Sequence, residues 1–154
     1  MEKAKAYEQA IEKLTERTRE ESDLIANLAN TSAILAESME DINWVGFYLY
    51  KEGELVLGPF QGRPACVRIE IGKGVCGAAF LKNEPVIIPD VMKFPGHIAC
   101  DARSKSEIVI PLHFMDKRVG VLDIDSPIVG RFDEVDQQYL KKIAKILEAA
   151  CKWK

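Results

Sequence analysis

The first forty residues contain neither glycine nor proline, and this stretch constrains the fold more than any other feature of the sequence. Few of these residues are β-branched, so intrinsic propensity favours helix from end to end. Tyr7, Ile11 and Leu14 recur at helical spacing and predict the buried face of a first helix. Ser22 is the expected N-cap of a second helix. The predicted apolar face of that helix comprises Leu24, Ile25, Leu28, Leu35 and Met39.

From residue 43 onward the pattern changes to short β-prone segments separated by turns. Strands are predicted over residues 44–50, 55–57, 67–71, 86–88, 108–114 and 118–124, with a short helix over 75–83 and a loop over 92–104. Asp133 is the expected cap of a last helix. Its predicted buried face comprises Val135, Tyr139, Ile143, Ile146, Leu147 and Ala150. Strand pairs joined by tight turns predict an α+β fold, in which an antiparallel sheet is flanked by N-terminal and C-terminal helices.

Length and charge limit the classes of protein and partner that fit this chain. Its 154 residues predict a single domain over residues 1–154. The net charge is −3 with no basic stripe, and no apolar run approaches about 18 residues, so neither nucleic acid nor a membrane is an expected partner. The charged, amphipathic N-terminus lacks the apolar core of a signal peptide. We therefore expect a cytoplasmic protein, in which permanent structural disulfides are rare.

Residues 72–77 match the glycine pattern G-x-G-x-x-G, which is typical of dinucleotide-binding folds. In those folds the pattern follows a buried parallel strand and begins a long helix. Here the preceding strand alternates polar and apolar residues, and Pro85 ends the following helix early. We therefore interpret the glycines as a strand-to-helix turn, and we expect no cofactor.

The four cysteines are Cys66, Cys76, Cys100 and Cys151, and no two of them form a C-x-x-C pair. Their spacing matches no common zinc pattern, and only His97 lies near a cysteine, so no metal is expected. Cys151 lies among helix-forming residues and is expected to be inert. Cys66 and Cys100 lie in predicted loops, where two thiols could form a reversible disulfide. The residue types leave redox chemistry and inert burial equally open.

Asp123 and Asp125 project from the same face of a predicted strand, and Glu107 lies on its predicted partner. A two-residue connection would pair Ile110 with Asp123 and turn Glu107 away from both aspartates. An odd-numbered connection, or a bulge, would pair Val109 with Asp123 and bring the three acids together. From the residues alone, an exposed strand end explains the two aspartates as well as a functional cluster of acids does.

Taken together, these motifs resemble the free methionine-(R)-sulfoxide reductases, which are single GAF-domain enzymes. The resemblance extends over roughly residues 20–150. It is carried by residues 58–66, 72–77, 94–101, 106–111 and 120–126. It implies a GAF-like fold and the register in which the three acids converge.

The resemblance also implies a role for three of the cysteines. Cys100 is similar to the nucleophile that attacks the sulfoxide sulfur, Cys66 to the resolving thiol, and Cys76 to a third redox cysteine. The implied cycle leaves a sulfenic acid, then an intramolecular disulfide, which an external dithiol of the thioredoxin type reduces. The family is also expected to form homodimers.

The resemblance further implies which residues bind free methionine sulfoxide. Glu107, Asp123 and Asp125 are similar to the acids that hold the substrate and the sulfoxide oxygen, and Trp44 and Tyr48 to an aromatic wall around its methyl-sulfur end. The alternative is a GAF sensor module that binds a small ligand without catalysis. We disfavour it, because 154 residues leave no room for an output domain and a sensor needs no loop cysteines.

Overall fold

A computed structural model describes residues 2–97 and 100–153. The helices are α1 (Lys3–Thr18), α2 (Leu24–Ser38), α3 (Gly74–Lys82) and α4 (Glu134–Ala150), with a short 3-10 turn over Val91–Lys93. The strands are β1 (Trp44–Lys51), β2 (Glu54–Gly62), β3 (Arg68–Glu70), β4 (Val86–Ile88), β5 (Ser106–Phe114) and β6 (Lys117–Ser126). They form one sheet in the order β3-β2-β1-β6-β5-β4, and every neighbouring pair is antiparallel. The predicted α+β class is confirmed.

The sheet separates two apolar clusters of different size. Helices α1, α2 and α4 cover one face, where residues such as Phe47 and Leu122 are fully buried. The opposite face carries a smaller cluster that includes Trp44, Tyr48 and residues of α3. Alternation along the strands assigns each side chain to one face. The larger cluster therefore supplies most of the core, and the smaller one surrounds the candidate site.

Two details of the predicted helices are wrong. Asp23, and not Ser22, caps α2, because its carboxylate accepts a hydrogen bond of 2.9 Å from the backbone N–H of Ala26. Ile25 and Val135 were expected on buried faces but are 53% and 38% exposed. The buried stripes of these helices include polar residues as well as apolar ones, and a hydrophobic pattern does not predict the polar ones. These polar residues are Asn27, Thr31 and Ser32 in α2 and Asp136 in α4.

The predicted cap of the last helix is confirmed. The Asp133 carboxylate accepts hydrogen bonds from the backbone N–H groups of Val135 and Asp136. The Asp136 carboxylate in turn accepts a bond of 2.9 Å from the Asp133 backbone, which completes a capping box.

The β5–β6 hairpin has the register that brings the acids together. Its turn consists of Met115 and Asp116, both with positive φ, one residue earlier than predicted. A two-residue turn alone would leave Glu107 on the wrong face. However, the register shifts by one residue between Leu112 and His113. This bulge aligns Glu107 with Asp125, as expected.

The glycines of residues 72–77 form a strand-to-helix turn, as interpreted. Gly72 and Gly74 have φ of +88° and +61°, which other residues rarely adopt. A Cβ on Gly77 would lie 2.5 Å from the carbonyl oxygen of Glu70, so only glycine allows α3 to pack this closely on β3. Across the described ranges, no helix combines the length and apolar character needed to cross a membrane.

Candidate active site

Three carboxyl groups converge at the end of the β5–β6 ladder. Glu107 and Asp123 are only 6% and 5% exposed, and Asp125 is partly buried. Burial is the main cause that raises the pKa of Glu107 well above its ordinary 4.5, and the charges of Asp123 and Asp125 raise it further. Burial likewise raises the pKa of Asp123 and Asp125. The cluster therefore retains a proton at a pH where isolated carboxyl groups have lost theirs.

One oxygen of this cluster is unsatisfied within the described part of the chain. Asp123 Oδ1 is buried and has no hydrogen-bond partner there. A buried acceptor without a donor costs free energy, so such an atom is typical of a site that a ligand completes.

Cys76 lies beside the acids at the start of α3. Its side chain is buried, and Sγ donates a weak hydrogen bond of 3.9 Å to Glu107 Oε2. Burial, followed by the negative charges of Asp123 and Glu107, raises the pKa of this thiol well above 9.0. Cys76 is therefore a neutral thiol in this form of the protein, and it is not in a disulfide.

Cys66 and Cys100 form a disulfide bond. It links the β2–β3 connection to the loop before β5, across a sequence separation of 34. The sequence left redox chemistry and inert burial open, and the structure pairs these two thiols. Both residues are partly exposed, which leaves the bond open to attack by an external thiol. Cys151, by contrast, is buried against Asn27, in agreement with an inert role.

Two aromatic residues of β1 connect the site to the Cys66 segment. Trp44 and Tyr48 stack with ring centroids 6.0 Å apart. The Tyr48 hydroxyl donates a 2.8 Å hydrogen bond to the carbonyl of Cys66, and Trp44 Nε1 donates one of 3.2 Å to the carbonyl of Arg63. These rings thus anchor the cysteine-bearing segment as well as lining the site, a second role that sequence spacing did not indicate.

All the predicted site residues except Cys66 line one cavity of about 50 Å³. It is bounded by Trp44, Tyr48, Cys76, Cys100, Glu107, Asp123 and Asp125, with His97 and Asp101 among the others. A cavity that holds benzene has about 150 Å³. By this measure the cavity of the disulfide-bonded form is small. Cys100 is among the residues that line this cavity, and Cys66 is bonded to it.

A set of polar residues that sequence reasoning missed ties the Cys100 loop to the sheet. Asn43, immediately before β1, donates hydrogen bonds to the side chains of Asp101 and Ser104. Asp101 also pairs with Arg103. An asparagine before a strand does not predict which side chains it will contact. These contacts join residues far apart in the sequence, so they become visible only in the folded chain.

Cys76, Glu107 and Asp123 also offer one sulfur and two oxygen atoms within 4.8 Å of one another. Such a set could hold a divalent ion such as Zn²⁺. The spacing of cysteine and histidine along the chain does not predict this set. Its three ligands come from three separate elements, α3, β5 and β6, which only the fold brings together.

Known proteins are similar to this chain in sequence and in fold. The GAF domain family matches residues 26–151. The chain is 56% identical over 128 residues to the free methionine-R-sulfoxide reductase of Escherichia coli, covering 83% of this chain and 78% of that protein. It is 47% identical over 138 residues to the Saccharomyces cerevisiae protein of the same name, covering 84% and 77%. An X-ray structure of the Neisseria meningitidis free methionine-R-sulfoxide reductase in complex with its substrate has a TM-score of 0.94 and 47% identity, covering 97% of this chain and 90% of that chain. This chain therefore belongs to the GAF-domain family of free methionine-R-sulfoxide reductases.

Proposed function

We propose that this protein reduces free methionine-(R)-sulfoxide to methionine, with Cys100 as the nucleophile. The observation that carries the proposal is the Cys66–Cys100 disulfide beside a buried cluster of three acids. In the first step the Cys100 sulfur attacks the sulfoxide sulfur. The transient S–S bond and the substrate S–O bond then break as the oxygen passes to Cys100, which becomes a sulfenic acid (S–O–H), and methionine leaves as the two-electron-reduced thioether. Cys100 is assigned this step because it lines the same cavity as the three acids.

The acid cluster supplies the proton that this step needs. A sulfoxide oxygen is a poor leaving group until it is protonated. Glu107, Asp123 and Asp125 keep a shared proton because burial and mutual repulsion disfavour full ionisation. A neutral carboxyl group in a buried site can donate its proton to the substrate.

The same cluster explains why the substrate is the free amino acid. A free substrate carries an α-ammonium group, which a buried carboxylate can pair with, whereas a peptide-bound residue does not. Asp123 Oδ1 is the unsatisfied acceptor that fits this role. A site built for that charge discriminates against ligands that lack it. Trp44 and Tyr48 form the apolar wall for the methyl-sulfur end.

The remaining steps regenerate the thiols. The Cys66 thiol condenses with the Cys100 sulfenic acid, releasing water and forming the disulfide. A dithiol of the thioredoxin type then attacks this disulfide through a mixed intermediate and leaves both cysteines reduced. Cys76 is a reserve thiol for exchange, slowed by its raised pKa. We also infer that the protein forms a homodimer. We infer a cytoplasmic location, because reductants of the thioredoxin type are maintained there.

A coupled assay tests the proposal. The protein is mixed with racemic free methionine sulfoxide, thioredoxin, thioredoxin reductase and NADPH, and NADPH loss is followed to its end point. Consumption that stops near half the substrate, with the S epimer remaining, is the expected result. The Cys100→Ser variant should be inactive and Cys151→Ser fully active. Turnover by the Cys100 variant, or none by the folded, reduced wild type, would exclude the mechanism.

A further inference from the structure

Asn43 joins the loop that carries Cys100 to the strands that carry the acids. Its side-chain Nδ2 donates hydrogen bonds of 3.2 Å to Asp101 Oδ2 and 3.1 Å to Ser104 Oγ. Its backbone N–H donates a bond of 2.9 Å to the carbonyl of Asp125. One residue thus contacts both the neighbour of Cys100 and the backbone of the acid cluster.

The acceptor of this contact is held rigidly and remains charged. The Asp101 carboxylate accepts a 2.9 Å hydrogen bond from the Arg103 backbone and forms a 2.8 Å ion pair with Arg103 Nη2. The Asp101 side chain is only 9% exposed. Hydrogen bonding to Arg103 is the main cause that lowers the pKa of Asp101, so this acceptor stays ionised throughout the neutral pH range. A hydrogen bond to a charged acceptor is stronger than one between neutral groups.

The amide of Asn43 can serve this contact in only one orientation. Its Oδ1 is buried and has no hydrogen-bond partner within the described residues. Turning the amide over would leave this oxygen against the Asp101 carboxylate, where the two would repel each other. The two hydrogen bonds that Nδ2 donates offset the cost of leaving this acceptor unsatisfied.

The position of the contact along the chain explains what it does. Asp101 immediately follows Cys100. The next backbone anchor in the described chain is Lys105, whose N–H donates to the carbonyl of Ser126 at 2.7 Å. Residues 101–104 form a turn, closed by a 3.1 Å hydrogen bond from the Ser104 N–H to the Asp101 carbonyl. Without the Asn43 contact, the nearest described backbone hydrogen bond from this turn to the sheet would be that of Lys105, five residues from Cys100. A longer connection to the sheet spreads the thiol over a larger volume and lowers its effective concentration at any target.

We propose that Asn43 is a positioning residue, which holds reduced Cys100 over the acid cluster through Asp101. The proposal rests on the function proposed above, because it concerns the nucleophile of that reaction. When the disulfide is reduced, the covalent link to Cys66 is lost. The Asn43 contact then limits the movement of Cys100, both for its attack on substrate and for its later bond to Cys66.

The first test measures the position of Cys100 without any substrate. Reduced protein is mixed with oxidised glutathione, and closure of the Cys66–Cys100 bond is followed by mass spectrometry of the mixed disulfide and the final product. In Asn43→Ala the intramolecular closing step should slow about tenfold, as expected for the loss of a charge-assisted hydrogen bond. Asn30→Ala, an exposed asparagine of α2, is the matched control and should close at the wild-type rate.

A reversed pair separates positioning from general damage to the fold. Asn43→Asp places a second carboxylate against Asp101 and should close more slowly than Asn43→Ala. The double variant Asn43→Asp, Asp101→Asn restores one donor and one acceptor, so it should recover at least part of the loss. Wild-type closing rates in both single variants, or a double variant as slow as Asn43→Asp, would overturn the proposal.

Turnover provides the second readout. In Asn43→Ala, kcat for free methionine sulfoxide should fall about tenfold while KM changes less, because Asn43 positions the nucleophile and not the substrate. The pH profile should keep its shape, since the acids that titrate are unchanged. A large rise in KM alone, or a shifted pH profile, would contradict the positioning role. If the wild type has no turnover, the proposed function fails, but the closing rates still decide the role of Asn43.

Discussion

The disulfide between Cys66 and Cys100 makes a quantitative prediction about stability. Reduction removes a cross-link between residues separated by 34 positions. The chain-entropy relation gives a stabilisation of about 4 kcal/mol at 25 °C for a loop of this length, because the closed loop restricts the unfolded chain. The reduced protein should therefore be less stable than the oxidised protein by up to this amount.

Urea unfolding under oxidising and reducing conditions measures the difference. The Cys66→Ser variant should match the reduced wild type under both conditions, because it lacks the cross-link in either case. Cys151→Ser should keep the full difference in stability between oxidised and reduced forms, since Cys151 is buried and takes no part in the disulfide. Equal stability of oxidised and reduced wild type, within about 1 kcal/mol, would show that the cross-link does not stabilise the folded state in this way.

The stabilisation by the disulfide also affects turnover. Linkage requires that folding favours disulfide formation by the free energy with which the disulfide favours folding. About 4 kcal/mol corresponds to roughly a thousandfold in the equilibrium between dithiol and disulfide. The proposed cycle therefore closes Cys66 onto Cys100 readily, and reopening depends on a strong external dithiol.

Three further predictions concern the acids and the glycine turn. The pKa of Glu107 is raised in the folded state, so its contribution to stability is complete below pH 4.5 and is lost as pH rises through the raised value. Relative to Glu107→Gln, wild-type stability should therefore fall by up to about 1.4 kcal/mol per pH unit between pH 4.5 and the raised pKa in urea titrations, whereas parallel curves would contradict the burial argument. N-acetyl-methionine sulfoxide lacks the ammonium group, so its kcat/KM should be at least about a hundredfold below that of the free amino acid, and comparable values would remove the acid cluster from substrate selection. Gly77→Ala should destabilise the protein by about 1–3 kcal/mol in thermal unfolding, because the added Cβ would lie 2.5 Å from the Glu70 carbonyl; an unchanged Tm would mean that α3 shifts without cost.

The sequence was sufficient for the fold class because its signals are local. A long segment without glycine or proline, followed by short β-prone segments and tight turns, indicates helices around an antiparallel sheet. The errors also have a local origin. Ile25 and Val135 are exposed because polar residues such as Asn27 and Asp136 occupy the buried stripes through hydrogen bonds that a hydrophobic pattern does not reveal.

The site depends on features that have no local signal. The bulge between Leu112 and His113 decides whether Glu107 faces the aspartates, and the residues alone left both registers open. The resemblance to a known family resolved that choice correctly. The contact between Asn43 and Asp101 joins residues 58 positions apart, and only the folded chain brings them together.

The central claim is that Cys100 accepts the sulfoxide oxygen, and a single turnover tests it directly. The Cys66→Ser, Cys76→Ser double variant is reduced, freed of reductant and mixed with excess free methionine sulfoxide. The account predicts one methionine released per protein and one sulfenic acid on Cys100, detected as the mass of the adduct that a sulfenic acid reagent forms on the peptide containing Cys100. Cys151, retained in the variant, should stay unmodified. Methionine release without oxygen on Cys100, or oxygen on Cys151 instead, would contradict the account.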